Sequence, residues 1–146
     1  MPVFVDTNVL VYARDSSEVE KQRRRASAWV DELWRRRSGR LSTQVLYEYY
    51  VTVTRKLVPG LPVADARSDV RDLSRWQPVA LDEPLIELAW GVQDAHHLSF
   101  WDSLVVAAAR QTGCAHLLTE DLQDGQDLGG TVVVNPFLHE LDQVLS

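Results

Sequence analysis

The chain has 146 residues, of which 45% are hydrophobic and 25% charged, a composition typical of an ordinary folded domain. This excludes collagen-like, low-complexity and disordered classes, and the length predicts one domain spanning residues 1–146. The single cysteine, Cys114, cannot form an internal disulfide. Asp6 and Asn8 interrupt the apolar N-terminal stretch, so we expect no signal peptide, no membrane span and a cytoplasmic location.

The net charge of −6 is unevenly distributed along the sequence. Residues 1–76 contain 14 Lys and Arg against 10 Asp and Glu, whereas residues 77–146 contain 1 against 11. A basic first half and an acidic second half favour one region that attracts nucleic acid and another that holds metal ions or a basic partner. Solvated helix faces explain the same charges equally well at this stage.

Short apolar segments alternate with longer amphipathic ones. Strands are predicted at 2–5, 40–42, 78–81, 115–119 and 132–134. Helices are predicted at 18–37, 44–58, 62–75, 84–96, 101–112 and, as a short element, from Pro136. We expect Ser16 or Ser17 to cap the first helix, with Glu20 as its capping-box partner, and Thr43 to cap the second. Continuous apolar strands between helices predict an α/β sandwich with a mostly parallel sheet of about five strands, flanked by helices.

Four acidic residues occupy positions where ligands bind in such folds. Asp6 directly follows the first strand and Asp121 follows strand 115–119, so both emerge at the carboxyl edge of the sheet. Asp102 lies in the first turn of helix 101–112. Glu48 lies on helix 44–58 among apolar and aromatic residues, where a carboxylate is costly unless it is paired or bound to a cation. Each residue alone also has a structural explanation, such as a charge at a helix N-terminus.

Taken together, the four carboxylates predict a metal site. Converging carboxylates repel one another, and divalent cations allow them to remain ionised together. Oxygen ligands without cysteine or histidine suit Mg²⁺ or Mn²⁺ better than zinc. This arrangement is typical of a metal-dependent phosphodiesterase, in which the ions activate a water and stabilise the leaving oxygen.

Four blocks of the sequence resemble, in order and spacing, those of PIN-domain ribonucleases, and in particular the VapC-type toxins of prokaryotic toxin–antitoxin pairs. The blocks are VFVDTNVLVYA (3–13), LSTQVLYEYYVTVTRKL (41–57), Trp101–Asp102–Ser103 and LLTEDLQDG (117–125). The resemblance implies a PIN-like three-layer sandwich with about five parallel strands. It also implies an endoribonuclease that depends on Mg²⁺, with Mn²⁺ as a substitute, forms a homodimer and is inhibited by a small antitoxin protein.

The resemblance assigns roles residue by residue. It makes Asp6, Glu48, Asp102 and Asp121 the catalytic and metal-binding acids. Glu120 and Asp124 lie in the same last block, and we predict Asp124 as an outer metal ligand. Thr7, Asn8 and Thr119 are expected to orient carboxylates or a water molecule. Arg55 lies two helical turns after Glu48, and we predict that it contacts the RNA strand.

Two other functions remain open. A haloacid-dehalogenase-like phosphatase also places an aspartate after its first strand, but it needs a second aspartate where this chain has Asn8. A PIN-like domain kept only for binding or regulation is the other alternative, which a nuclease assay decides. For the toxin, we expect the antitoxin to bind between helices 18–37 and 44–58 and to direct an Arg or Lys toward the acids. The five tryptophans are expected in the core rather than as base-stacking platforms.

Overall fold

A computed structural model describes residues 1–16 and 20–145. Its four strands are β1 (Val3–Val5), β2 (Gly39–Arg40), β3 (His116–Leu118) and β4 (Val132–Val134). They pair in parallel in the order β2-β1-β3-β4. Val5 lies opposite Leu118 in the central pair, and Leu118 lies opposite Val134. The residues that follow β1 and β3 therefore leave the sheet side by side at its carboxyl edge.

Seven α-helices surround this sheet in the described part of the chain. They are α1 (Thr7–Tyr12), α2 (Glu20–Arg36), α3 (Thr43–Val51), α4 (Val63–Leu73), α5 (Glu83–His96), α6 (Phe100–Gln111) and α7 (Leu141–Val144). A π-helical turn, Thr52–Lys56, continues α3, and a 3₁₀ turn, Ser74–Trp76, continues α4. The cap of α3 is Ser42 rather than Thr43, since the Ser42 hydroxyl accepts from Val45 N at 3.4 Å. The predicted start of the first long helix, including Ser17, lies outside the described residues.

The predicted α/β sandwich with a parallel sheet is confirmed, but the described residues form four strands rather than about five. The segment predicted as a strand at 78–81 makes only one bridge, between Val79 and Ser42. Val79 N donates to Leu41 O at 3.0 Å, and Thr43 N donates to Val79 O at 2.9 Å. The pairing does not continue toward Leu81, whose N–H donates to the Thr43 hydroxyl at 3.3 Å instead of to a backbone carbonyl.

Two other elements differ from the predictions for local reasons. Residues 7–12 form α1 directly after β1, since the Asp6 side chain accepts from Thr7 N and caps the helix. The C-terminal helix begins at Leu141 rather than at Pro136. Before it, the Asn135 side-chain oxygen accepts from Phe137 N at 2.9 Å, a local turn that competes with helix formation.

Helix α3 is fixed against its neighbours by packing and by a buried polar contact. Tyr49 of α3 is 2% exposed, and its hydroxyl donates to Asp69 Oδ2 of α4 at 2.6 Å. Arg14, which follows α1, pairs with the same carboxylate at 2.7 Å.

Phe4 and Leu117 of the central strands are fully buried, as expected for a sheet covered on both faces. Among the described residues no helix has the length and apolar character to cross a membrane.

Candidate active site

Asp6 lies at the centre of a polar cluster at the carboxyl edge of the sheet. The residue is 7% exposed, and its Oδ1 accepts from Thr7 N at 2.8 Å as the cap of α1. Its Oδ2 accepts from the Thr119 hydroxyl at 2.9 Å. Burial raises the pKa of Asp6 to about 6, the charges of Asp121 and Glu48 act in the same direction, and the two hydrogen bonds oppose them.

Asn8 links the two aspartates that follow β1 and β3. Its Nδ2 lies 3.0 Å from Asp121 Oδ2, 3.0 Å from Thr119 Oγ1 and 3.3 Å from Asp6 Oδ2. Its Oδ1 accepts from Glu120 N at 3.3 Å, and Thr119 Oγ1 accepts from Asp121 N at 3.2 Å. The loop after β3 is therefore held to α1, and the Asp121 carboxylate points to the same cleft as Asp6.

Glu48 joins this cluster from α3. Its Oε2 accepts from the Thr7 hydroxyl at 3.0 Å, and its Oε1 accepts from Gln44 Nε2 at 3.1 Å. The expectation that apolar bulk surrounds Glu48 is wrong, because the residue is exposed, as is Tyr47 before it. Helix α3 buries a different face, with Val45, Leu46 and Tyr49.

Asp102 approaches from the N-terminus of α6, which Ser99 caps by accepting from Asp102 N at 3.1 Å. Partial burial raises the pKa of Asp102, and the charges of Asp121 and Glu48 raise it further, so both of these acids lie within electrostatic reach of Asp102. The amide of Gln44 also lies 3.4 Å from the Trp101 carbonyl and so connects α6 to α3. Gln44 was not among the predicted site residues, although its position one helical turn before Glu48 is a detectable signal.

The donors in this cluster fit a hard divalent cation. All of them are oxygen atoms, including the buried Gln44 Oε1, which has no hydrogen-bond partner among the described residues. No three acidic, histidine or cysteine side chains of the described chain are close enough to bind one ion as they stand. The hydroxyl and amide groups of Thr7, Asn8 and Thr119 lie between the carboxylates. Asp6, Glu48, Asp102 and Asp121 stay the predicted ligands of a divalent cation.

Asp124, the predicted outer ligand, makes contacts away from the cluster. Its Oδ1 accepts from Asn135 N at 2.8 Å, and its Oδ2 lies 2.8 Å from His139 Nε2. Burial tends to raise the pKa of Asp124, but these two contacts outweigh it, so the pKa is lowered. Both oxygens therefore connect the loop after β3 to the C-terminal segment, and the ligand role stays a prediction.

A cavity of about 440 Å³ lies beside the acids; Glu48 and Asp121 line it, whereas Asp6 and Asp102 do not. Asn8, Thr52 and Lys56 also line it. The lining does not include Arg55, the predicted RNA contact, whose role stays a prediction. Trp101 is 61% exposed beside Asp102 and Trp90 is 49% exposed, so the expectation that all five tryptophans lie in the core is wrong.

The sequence model of the PIN domain family matches residues 3–123, and the chain belongs to this family. The match contains Asp6, Glu48, Asp102 and Asp121. The resemblance carried by the four sequence blocks is thereby confirmed, and the haloacid-dehalogenase alternative is removed. A search of curated proteins by sequence finds no match.

Solved structures of toxin–antitoxin proteins share the fold. A toxin–antitoxin complex from Klebsiella pneumoniae is 18% identical with a TM-score of 0.64, covering 93% of this chain and 98% of that one. VapC20 of Mycobacterium tuberculosis, a toxin that cleaves the sarcin–ricin loop, is 22% identical with a TM-score of 0.58, covering 79% and 86%. VapBC2 from Rickettsia felis, bound to a DNA fragment from their promoter, is 14% identical with a TM-score of 0.60, covering 91% and 97%.

Proposed function

We propose that this protein is a Mg²⁺- or Mn²⁺-dependent endoribonuclease that acts as the toxin of a toxin–antitoxin pair. The observation that carries the proposal is the convergence of Asp6, Glu48 and Asp121 on one hydrogen-bonded cluster, with Asp102 in electrostatic reach. A domain kept only for binding has no need for several acids placed together at such a cost in repulsion.

The chain's own residues divide the work in the proposed reaction. The four acids hold the cation, while Thr7 and Thr119 orient Glu48 and Asp6 through their hydroxyl groups. Divalent cations supply a lowered pKa for an attacking water and neutralise charge that develops on the phosphate. The choice of RNA over DNA is supported by the PIN-ribonuclease resemblance and by the RNA-cleaving toxin that shares the fold.

The test is cleavage of a fluorescein-labelled single-stranded RNA by the purified chain. We expect cleavage in millimolar Mg²⁺ or Mn²⁺, none in EDTA, and a loss of orders of magnitude in Asp102→Asn. The matched control is Asp127→Asn, because Asp127 is an exposed acid that caps a turn at Gly130 N and has no contact with the cluster. Absence of metal-dependent cleavage by the unsubstituted chain refutes the proposal and favours the non-catalytic alternative.

The toxin role includes a small antitoxin partner, a homodimer and action in the cytoplasm. Toxin–antitoxin complexes among the structures with the same fold support the partner. A second cavity, of about 320 Å³, is lined by Val30 and Trp34 of α2 and by Tyr49 of α3, and it supports the proposal that the antitoxin binds between these helices. An Arg or Lys of the partner that reaches the acids from there competes with the cation.

Growth of a bacterial host measures the toxin role separately from the chemistry. We expect the chain expressed alone to arrest growth and Asp6→Asn to be harmless at matched protein levels. If both proteins are equally harmless while the purified chain cleaves RNA, the nuclease stands and the toxin role fails.

A further inference from the structure

The π-helical turn after α3 changes the course of the chain along the cleft. The turn contains Thr52–Lys56 and is closed by a 3.1 Å hydrogen bond from Leu57 N to Thr52 O. This bond joins residues five apart, so the turn holds roughly one residue more than an α-helical turn with its bonds between residues four apart. Side chains after it are rotated relative to an uninterrupted α-helix.

The extra residue in the π-helical turn determines which basic side chain lines the cavity beside the acids. Two α-helical turns after Glu48 end near Arg55, the position that the sequence predicted. One α-helical turn followed by one π-helical turn ends instead at Lys56. In the structure, Glu48, Thr52 and Lys56 accordingly line the same cavity, whereas Arg55 is exposed and does not line it.

The charge of Lys56 is opposite to that of its surroundings. Among the described lining residues it is the basic one, and Glu48 and Asp121 line the cavity with it. No described carboxylate forms an ion pair with its ammonium group within 4.0 Å. A nucleic-acid strand carries a negative charge at every phosphate, so an acid-lined cavity repels it unless a cation contacts the backbone. The flexible stem and compact charge of lysine suit that contact.

We propose that Lys56 binds a phosphate of the RNA backbone beside the scissile bond and holds the strand against the carboxylate cluster. This inference rests on the proposed function, because it names a substrate contact of the same site. The π-helical turn is then the feature that brings the contact into the cleft.

The experiment compares two neighbouring basic residues in a nuclease-inactive background. Lys56→Met, Lys56→Arg and Arg55→Met are each combined with Asp102→Asn, since Asp102 does not line this cavity. Binding of a fluorescein-labelled single-stranded RNA of mixed sequence is measured by anisotropy in Mg²⁺, at KCl concentrations from roughly 50 to 200 mM. Melting temperatures are measured beside it, and we expect them to agree because both residues are exposed.

The expected result is a change in salt dependence at one position only. Lys56→Met should reduce the slope of log K against log salt concentration by about 0.7, the value for one phosphate contact on a single strand. Lys56→Arg should keep the slope, and so should Arg55→Met. With Asp102 restored, Lys56→Met should raise KM several-fold and change kcat little, as for a contact made equally in the ground and transition states.

The opposite results are distinguishable from one another. An unchanged slope in Lys56→Met, while the unsubstituted chain binds and cleaves RNA, overturns the inference and leaves the proposed function standing. A reduced slope in Arg55→Met alone overturns it in favour of the contact that the sequence predicted. Failure of the unsubstituted chain to cleave the RNA refutes the proposed function, and the Lys56 inference with it.

Discussion

The Thr7 hydroxyl donates a 3.0 Å hydrogen bond to Glu48 Oε2, joining residues 41 positions apart in the sequence. Thr7 is the first residue of α1, directly after the buried Asp6, and Glu48 lies on the exposed face of α3. This bond constrains the orientation of the exposed Glu48 side chain. Gln44 Nε2 fixes the other carboxylate oxygen at 3.1 Å.

Removal of the Thr7 hydroxyl should weaken catalysis more than stability. We expect Thr7→Val to reduce the affinity for Mg²⁺ or the cleavage rate by about 10- to 100-fold, the usual effect of losing a residue that orients a metal ligand. Thr7→Ser keeps the hydroxyl and should stay within a few-fold of the unsubstituted chain. The measurement is the cleavage rate as a function of Mg²⁺ concentration; equal curves for the two variants contradict the orienting role.

The last sequence block contains neighbouring acids with different predicted roles. Asp121→Asn should reduce Mg²⁺-dependent RNA cleavage by orders of magnitude, because it removes a ligand and little packing. Glu120→Gln, one residue earlier, should change it little. Single-turnover cleavage rates of the two variants separate the residues, and a larger loss in Glu120→Gln reassigns the ligand.

Substitution of Asp124, in the same block, is expected to affect the stability of the chain rather than cleavage. Because its carboxylate contacts Asn135 N and His139, we expect Asp124→Asn to lower the melting temperature by a few degrees. If this structural role is its only one, cleavage by the folded variant should remain near that of the unsubstituted chain. A severe loss of cleavage with an unchanged melting temperature supports instead the predicted role as an outer metal ligand.

Divalent cations should stabilise the folded chain through the acids. By mass action, a cation at a hundredfold excess over its Kd stabilises the folded state by about 2.7 kcal/mol. We expect Mg²⁺ or Mn²⁺ to raise the melting temperature by several degrees, and this gain to vanish in the double variant Asp6→Asn/Asp121→Asn. Scanning calorimetry at a series of cation concentrations measures it, and an equal gain in both proteins means that the ions bind elsewhere.

Asp6 should make the stability of the chain in EDTA depend on pH. Its pKa of about 6 in the folded chain lies above the ordinary 3.8. Between these two pH values the folded chain therefore retains a proton that the unfolded chain has released, and stability falls as pH rises through this window. Above pH 6, a pKa raised by this much corresponds to a loss of roughly 3 kcal/mol in the free energy of unfolding.

The matched variant for this pH effect is Asp6→Asn, since asparagine caps a helix about as well as aspartate. We expect its free energy of unfolding, from urea titrations at pH 4 to 7, to lose the Asp6 contribution to the slope. The difference between the two proteins should therefore grow in favour of the variant as pH rises. Parallel curves mean that the burial of Asp6 is not reflected in its titration.

The parts of the site predictable from sequence are those tied to the ends of regular elements. Asp6 and Asp121 follow apolar strands, and parallel strands end at a common edge, so their approach follows from the order of elements. Asp102 lies in the first turn of α6 as predicted. Lys56 could not be predicted, because its position depends on the π-helical turn, which leaves no period in the sequence to detect. The exposure of Glu48 and Trp101 was also missed, since apolar neighbours along a helix do not reveal which face it buries.

The sequence by itself predicted the α/β class, the longer helices and the four candidate acids, because these depend on local periodicity and on residue types at element boundaries. Tertiary structure alone decided the hydrogen bonds that join Thr7 to Glu48 and Asn8 to Asp121. It also decided that the strand pairing at Val79 ends after one bridge, and that Lys56 rather than Arg55 lines the cavity beside the acids. The physical reason is that these contacts form between residues far apart in the sequence, and their atoms must lie about 3 Å from one another. Small rotations of packed helices therefore determine which side chains meet.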